Sequence, residues 1–164
     1  MTVPKIYIIE DNGMLLALIT ELLQKSMPCE IIGFENADSV MDHWELETPD
    51  LVILDYQFES SGLKYSNGLE FLRVLQAKSK VPVIMLSGQT KKEVMTTLIQ
   101  NGASDYIPKD EPNFMDALLH SVETILKFQE TQRNLKNSVL NVNTQFLAIG
   151  FLILLGLIAF IFFF

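Results

Sequence analysis

The run Leu51-Val52-Ile53-Leu54-Asp55 constrains this chain more than any other stretch. Four apolar residues, two of them β-branched, lead straight into one carboxylate. Pro49-Asp50 stands before the run and Ser60-Ser61-Gly62 after it. An apolar run this short, bounded by turn formers, predicts a strand buried on both faces and is too brief for a buried helix. A strand of that kind belongs to a sheet covered by helices on two sides. An acid leaving it stands at the carboxyl edge of the sheet, where open α/β folds place their ligands. Taken alone, Asp55 also reads as a loop residue or a helix cap.

The rest of the chain repeats the theme. Lys5-Ile6-Tyr7-Ile8-Ile9 predicts a first buried strand that ends at Glu10-Asp11. Leu15, Leu18, Ile19, Leu22 and Leu23 fall at helical spacing, and Met27-Pro28 closes that helix. A second strand is predicted over Glu30–Phe34, and Asn36 caps a short helix through Val40, Met41 and Trp44. After Asp55 a long polar and aromatic connection reaches Asn67, and Gly68 opens a helix carrying Leu69, Leu72, Val74 and Leu75. Val81–Leu86 predicts a fourth strand ending at Ser87-Gly88. Thr90 to Glu93 reads as a capping box for a helix that stops at Asn101-Gly102. Asp105-Tyr106-Ile107 is a last short strand before Pro108-Lys109-Asp110, and a final helix starts near Pro112-Asn113. Five βα units in succession predict an α/β fold, a doubly wound five-stranded parallel sheet with right-handed crossovers.

Charge narrows the partners. Of 164 residues, those from 1 to 125 carry nine Lys/Arg against nineteen Asp/Glu, while 126–164 carry Lys127, Arg133 and Lys136 against Glu130. So acidic a first part argues against nucleic acid as a partner. Cys29 is the only cysteine, which excludes an internal disulfide and a cysteine zinc cage. In a predicted strand it reads as a small core residue. The N-terminus lacks the apolar core and cleavage site of a signal peptide.

The strand ends carry the chemistry. Strand one ends in Glu10-Asp11, strand three in Asp55, strand four in Ser87, and strand five near Lys109. A doubly wound sheet brings these ends to one edge. Clustered carboxylates repel one another, and a divalent cation relieves the repulsion. Oxygen ligands select a hard ion, and Mg²⁺ uses a few carboxylates while keeping waters for phosphate oxygens. A lysine that pairs with a carboxylate and then with a phosphoryl oxygen, and a serine that hydrogen-bonds another, complete equipment for phosphoryl transfer onto a carboxylate. An acid pair after a strand is also common as a solvated loop, and a Lys-Asp pair as plain surface. The weight lies in the five residues together.

As a set these residues resemble the receiver domain of bacterial two-component response regulators (CheY-like), over roughly residues 4–127. The matching positions are the acidic pair Glu10 and Asp11, then Asp55, Ser87, Tyr106 and Lys109, with Gly102-Ala103-Ser104-Asp105-Tyr106 similar to the family's last strand. The resemblance implies a flavodoxin-like sheet of order 2-1-3-4-5, with Asp55 as phosphoacceptor. It implies Mg²⁺ on Glu10, Asp11, Asp55 and the backbone of Gln57. Lys109 and Ser87 would assist the transfer, and Ser87 and Tyr106 would act as the switch pair, the tyrosine turning inward on phosphorylation. Gln57 and Gln89 lie where the family tunes loss of the phosphoryl group. The donor would be a histidine kinase or phosphotransfer protein, the output a contact with a downstream protein, and the chain itself no enzyme. Asp55-Tyr56-Gln57 lacks the second acid that phosphatases with an aspartyl-phosphate intermediate use. There are departures from the family pattern. Asp110 stands where a proline usually follows the lysine, which removes the usual cis bond. Glu59 replaces a proline after Asp55, and Gly68 comes later than usual, so the loop between is enlarged. These departures favour a phosphorylation-independent adaptor as the alternative.

The C-terminal segment reads differently. Phe146 to Phe164 is 19 residues with no polar side chain, about 28 Å as a helix, which predicts a transmembrane span. With Lys127, Arg133 and Lys136 ahead of it, the span would anchor the chain in the bacterial inner membrane, receiver facing the cytoplasm, without an effector domain. The domains expected are then a receiver over 1–127, a helical stalk over 128–145 and the transmembrane helix over 146–164. Ile125, Phe128, Leu135, Val139, Val142 and Phe146 step by threes and fours, with Gln132 filling the one gap. That is a heptad seam. It predicts a homodimer through the stalk or a lone amphipathic helix resting on another surface.

Overall fold

A computed structural model of the chain describes residues 3–58, 64–65, 67–88 and 92–163, with side chains described through Leu140 and at Gln145 and Leu147. Five strands and five helices alternate: β1 (Lys5–Ile9), α1 (Gly13–Ser26), β2 (Glu30–Phe34), α2 (Ala37–Leu46), β3 (Leu51–Asp55), α3 (Gly68–Lys78), β4 (Val83–Ser87), α4 (Lys92–Gln100), β5 (Asp105–Pro108) and α5 (Phe114–Phe163). The strands form one sheet in the order β2-β1-β3-β4-β5. Every pairing is parallel. The chain divides into two compact units, Met1–Leu126 and Lys127–Phe164.

The pleat explains the strand composition. Successive side chains point to opposite faces, so a central strand must be apolar at every position. Tyr7, Ile9, Val52, Leu54, Val83 and Met85 enter one core with Val40, Trp44, Phe71, Leu72 and Leu98. Ile6, Ile8, Leu51, Ile53, Ile84 and Leu86 enter the other with Ile19, Leu23, Leu118 and Val122. Tyr7 is fully buried and donates its hydroxyl to the Glu47 carbonyl oxygen at 2.8 Å. At the sheet's amino edge the Lys5 ammonium pairs with Glu30 at 3.1 Å and with Glu47. Cys29 packs at the margin of the second core, and burial raises its thiol pKa, as suits an inert residue.

Helix starts follow the capping rule. Asn12 accepts from the amides of Met14 and Leu15, Asn36 from Ser39, and Asn67 from Glu70. Gly102, at φ 98°, ends α4 in the left-handed conformation glycine tolerates. β4 begins at Val83, two residues after the predicted start, because Pro82 lacks an amide for the ladder and serves only through its carbonyl, which accepts from Val52. All peptide bonds among the described residues are trans, including the one before Asp110. The capping box at Thr90 and the residue Gln89 lie outside the described residues.

Gly68 is placed by contact. A Cβ there would come within 2.1 Å of the Asp55 carbonyl oxygen, and its amide donates to the Tyr56 carbonyl oxygen at 2.9 Å. The start of α3 therefore lies against the end of β3, across the enlarged connection. The described parts of that connection are anchored. Phe58 and Tyr65 are buried in the first core, Tyr65 lies 4.9 Å from Phe71 between ring centroids, and the Lys64 amide donates to Asp38 Oδ2 at 3.0 Å.

The expected membrane span is corrected. Among the described residues no helix is long and apolar enough to cross a membrane. The side chains of 146 and 148–164 lie outside those described. Placement in the bacterial inner membrane with the receiver facing the cytoplasm rested on that span, and it falls with it.

Gly68→Ala must push α3 off the β3 terminus and should lose on the order of 3 kcal/mol in denaturant unfolding. Gly13→Ala, where a Cβ meets nothing within 4 Å, should be neutral or gain up to about 1 kcal/mol. Equal effects at the two glycines would contradict this reading.

Candidate functional site

Four strands deliver the site. Glu10 and Asp11 follow β1, Asp55 ends β3, Ser87 ends β4 and Lys109 follows β5. Register holds them level: Asp55 lies opposite Leu86, and Ser87 opposite Pro108. Backbone bonds extend the ladder past the strands. The Tyr56 amide donates to the Leu86 carbonyl oxygen, and the Lys109 amide to the Ser87 carbonyl oxygen, both at 2.7 Å.

Lys109 lies at the centre. Its Nζ is 2.6 Å from Glu10 Oε2 and 2.8 Å from Asp55 Oδ2. Glu10 is 1% exposed and Asp55 3%. Two buried carboxylates thus share one half-buried ammonium. The remaining oxygens take backbone donors, the Asn12 amide on Glu10 Oε1 at 3.3 Å and the Gln57 amide on Asp55 Oδ1 at 3.2 Å. The Gln57 backbone therefore belongs to this edge. Ser87 is fully buried beside it.

Electrostatics follow from burial. Desolvation pushes the Asp55 and Glu10 carboxyls above the usual carboxylate range, and the hydrogen bonds from Lys109 only partly offset it. Burial pulls the Lys109 ammonium down, but its bonds to Asp55 and Glu10 outweigh that and hold it above its ordinary value. One ammonium does not neutralise two carboxylates, so the site favours a further positive charge.

Carboxylate oxygens of Glu10, Asp11 and Asp55 all lie within 4.8 Å of one another, and Asp11 is the most exposed of the three. Opposite ligands of Mg²⁺ stand about 4 Å apart, so small side-chain movements close this set on the ion. An all-oxygen set suits a hard cation.

Tyr106 lies on β5. Its ring is 8% exposed within the first core, and its hydroxyl has no hydrogen-bond partner among the described residues. Sequence reasoning missed three contributors. Asn12 caps α1, and its amide also steadies Glu10. Gly68 allows the close approach to the Asp55 carbonyl. Ser121 holds Asp105 Oδ2 at 2.5 Å and ties α5 to the start of β5. Only Asn12 left a signal, its cap-forming residue type next to the acidic pair.

The family model described as the response regulator receiver domain matches residues 6–123. The chain belongs to the response regulator receiver family. It is 32% identical over 123 residues to sensory transduction protein BceR of Halalkalibacterium halodurans, covering 75% of this chain and 50% of that protein. It is 27% identical over 144 residues to transcriptional regulatory protein KdpE of Staphylococcus aureus, covering 85% of this chain and 58% of that protein. The receiver domain of the Francisella response regulator 1452 superposes with a TM-score of 0.67 at 19% identity, covering 77% of this chain and 98% of that one. The chain spans about half the length of the curated relatives it matches. Receiver domains take phosphate from histidine kinases or phosphotransfer proteins and bind Mg²⁺ at an acidic pocket, and an acidic cluster is present here.

The raised Asp55 and Glu10 values set the sign of a pH effect. A carboxyl with its folded value raised contributes stability that is complete below its unfolded value, near pH 4, and is lost as pH rises through the folded value. In chelator, Asp55→Asn should match the parent in thermal unfolding near pH 4. It should exceed the parent at pH 7. A difference that stays constant or reverses with pH would contradict the assignment.

Proposed function

We propose that the chain is the phosphoacceptor of a two-component pathway, with residues 1–127 as the receiver, Asp55 as the accepting residue, and 128–145 as a helical stalk. The carrying observation is a buried Asp55 that lies 2.8 Å from Lys109 Nζ and within one carboxylate cluster with Glu10 and Asp11. The donor is a phosphohistidine on a histidine kinase or phosphotransfer protein. An Asp55 carboxylate oxygen attacks phosphorus, the P–N bond breaks, its electrons return to the imidazole, and an acyl phosphate forms on Asp55.

The chain's residues each have a task in that transfer. Burial strips Asp55 of water and fixes its rotamer, and the Gln57 amide on Oδ1 leaves Oδ2 with Lys109. Lys109 then follows the developing charge onto a phosphoryl oxygen and retains Glu10 as its other partner. Mg²⁺, which Glu10, Asp11, Asp55 and the Gln57 backbone would hold, would supply positive charge for the remaining phosphoryl oxygens. Ser87, at the level of Asp55 on the adjacent strand, donates its hydroxyl to the product. Its movement toward the phosphoryl group alters the packing behind it, where Tyr106 sits on β5, and this remodels the surface read by a downstream protein. The receiver acts as acceptor in this scheme and turns over no further substrate. The alternative is a phosphorylation-independent adaptor, favoured by Asp110 after Lys109 and by the anchored, enlarged connection after β3.

Incubation of the full chain with a small phosphodonor and Mg²⁺ should add one phosphoryl group, located by mass to Asp55. Asp55→Asn should lose the adduct while keeping its fold. An adduct that persists at another residue, or no adduct on the folded parent, would overturn the proposal and leave the adaptor.

A further inference from the structure

The second unit carries an apolar stripe that the receiver chemistry does not use. Between Thr131 and Leu140 every side chain is exposed. Leu140, at 53% exposure, lies off the stripe, whereas the exposed residues Phe128, Leu135 and Val139 are large and apolar, at 63, 57 and 59%. They are spaced by seven and four on one continuous helical stretch, with Gln132 between them, and the sequence carries the repeat on to Val142 and Phe146. Ile125 opens the repeat but packs on the second core, so the unpartnered stripe starts at Phe128.

We propose that this stripe is a self-association surface, in which Phe128, Gln132, Leu135 and Val139 meet the same residues of a second copy in a parallel two-stranded coiled coil. The period selects the occupant. A 3-4 repeat fits knobs into holes only on a helix with the same repeat, and a second copy presents it in register. Residue type selects the number of strands. In heptad notation Gln132 and Val139 occupy a and Phe128 and Leu135 occupy d, and a β-branched a with a leucine d favours two strands.

Gln132 selects the direction. In a parallel pair it faces Gln132 of the second copy, and each amide supplies the other a donor and an acceptor. In an antiparallel pair over the same span it faces Leu135, and the amide is buried without a partner. Charge raises no barrier to the parallel pair. Lys127, Glu130 and Arg133 lie away from the seam, and Lys136 at e faces Thr131 at g of the second copy. A seam of three heptads is about 30 Å long, so it buries less than the roughly 800 Å² per partner of a standard interface. The association is therefore reversible and depends on concentration. It is independent of the phosphoacceptor reading.

The test uses the full chain with Cys29→Ser as background. Under mild oxidation, Gln132→Cys should give disulfide-linked dimer at least tenfold faster than Asn134→Cys, which lies off the seam. Absent or equal crosslinking at the two positions would overturn the proposal. In the uncrosslinked chain, Leu135→Asp should raise the dimer dissociation constant at least tenfold in a concentration series by sedimentation. Because Leu135 is exposed, its receiver unit should still unfold as the parent's does. An unchanged constant would overturn the proposal as well.

Discussion

The structure of the receiver unit turns on one ammonium. Lys109 reaches Glu10 and Asp55 at once, across 99 residues in one case, and it does so where both carboxylates are buried. Burying a charge is tolerable only if it is paired, and two acids on one base leave the group short of positive charge. Burial raises the carboxyls, and the deficit accounts for the fit to a hard cation and the readiness of Asp55 to trade Lys109 for another partner. A structural ion pair would close on itself. Here Asp11, the most exposed of the three carboxylates, lies beside the pair.

The fold supplies that arrangement through register more than through any local motif. Parallel pairing sets β1, β3, β4 and β5 level at their carboxyl ends, and amides beyond the strands carry the ladder into the loops. Two apolar cores hold the sheet from both sides, so the strands cannot slide by one residue without exchanging faces. Gly68 adds a local constraint. Its missing Cβ lets α3 press on the Asp55 carbonyl, which fixes the backbone that carries the carboxylate.

Much of this was legible in the residues, and the reasons differ by element. The runs Ile6–Ile9, Leu51–Leu54 and Val83–Leu86 are apolar at every position, a pattern that a strand buried on both faces requires. Asn36 and Gly102 announced a helix start and stop because few residues serve those backbone roles. Glu10, Asp11, Asp55, Ser87 and Lys109 could be gathered because each follows or ends a strand, and topology did the rest. Long-range contacts were not legible. Nothing in the order of residues says that Phe58 and Tyr65 turn into the core, that Ser121 holds Asp105, or that Tyr106 stands inward. The apolar run near the C-terminus misled in another way. Composition alone predicted a membrane span and from it a location, and neither follows from the described structure.

The account's central claim is that the carboxylate cluster at this sheet edge is a divalent-cation site short of positive charge. Calorimetric titration of Mg²⁺ into the full chain tests it most directly. One ion per chain should bind at neutral pH, and binding should be lost when Glu10 and Asp11 are both replaced by their amides. Absence of binding to the folded chain, or binding that survives the double replacement, would contradict the claim.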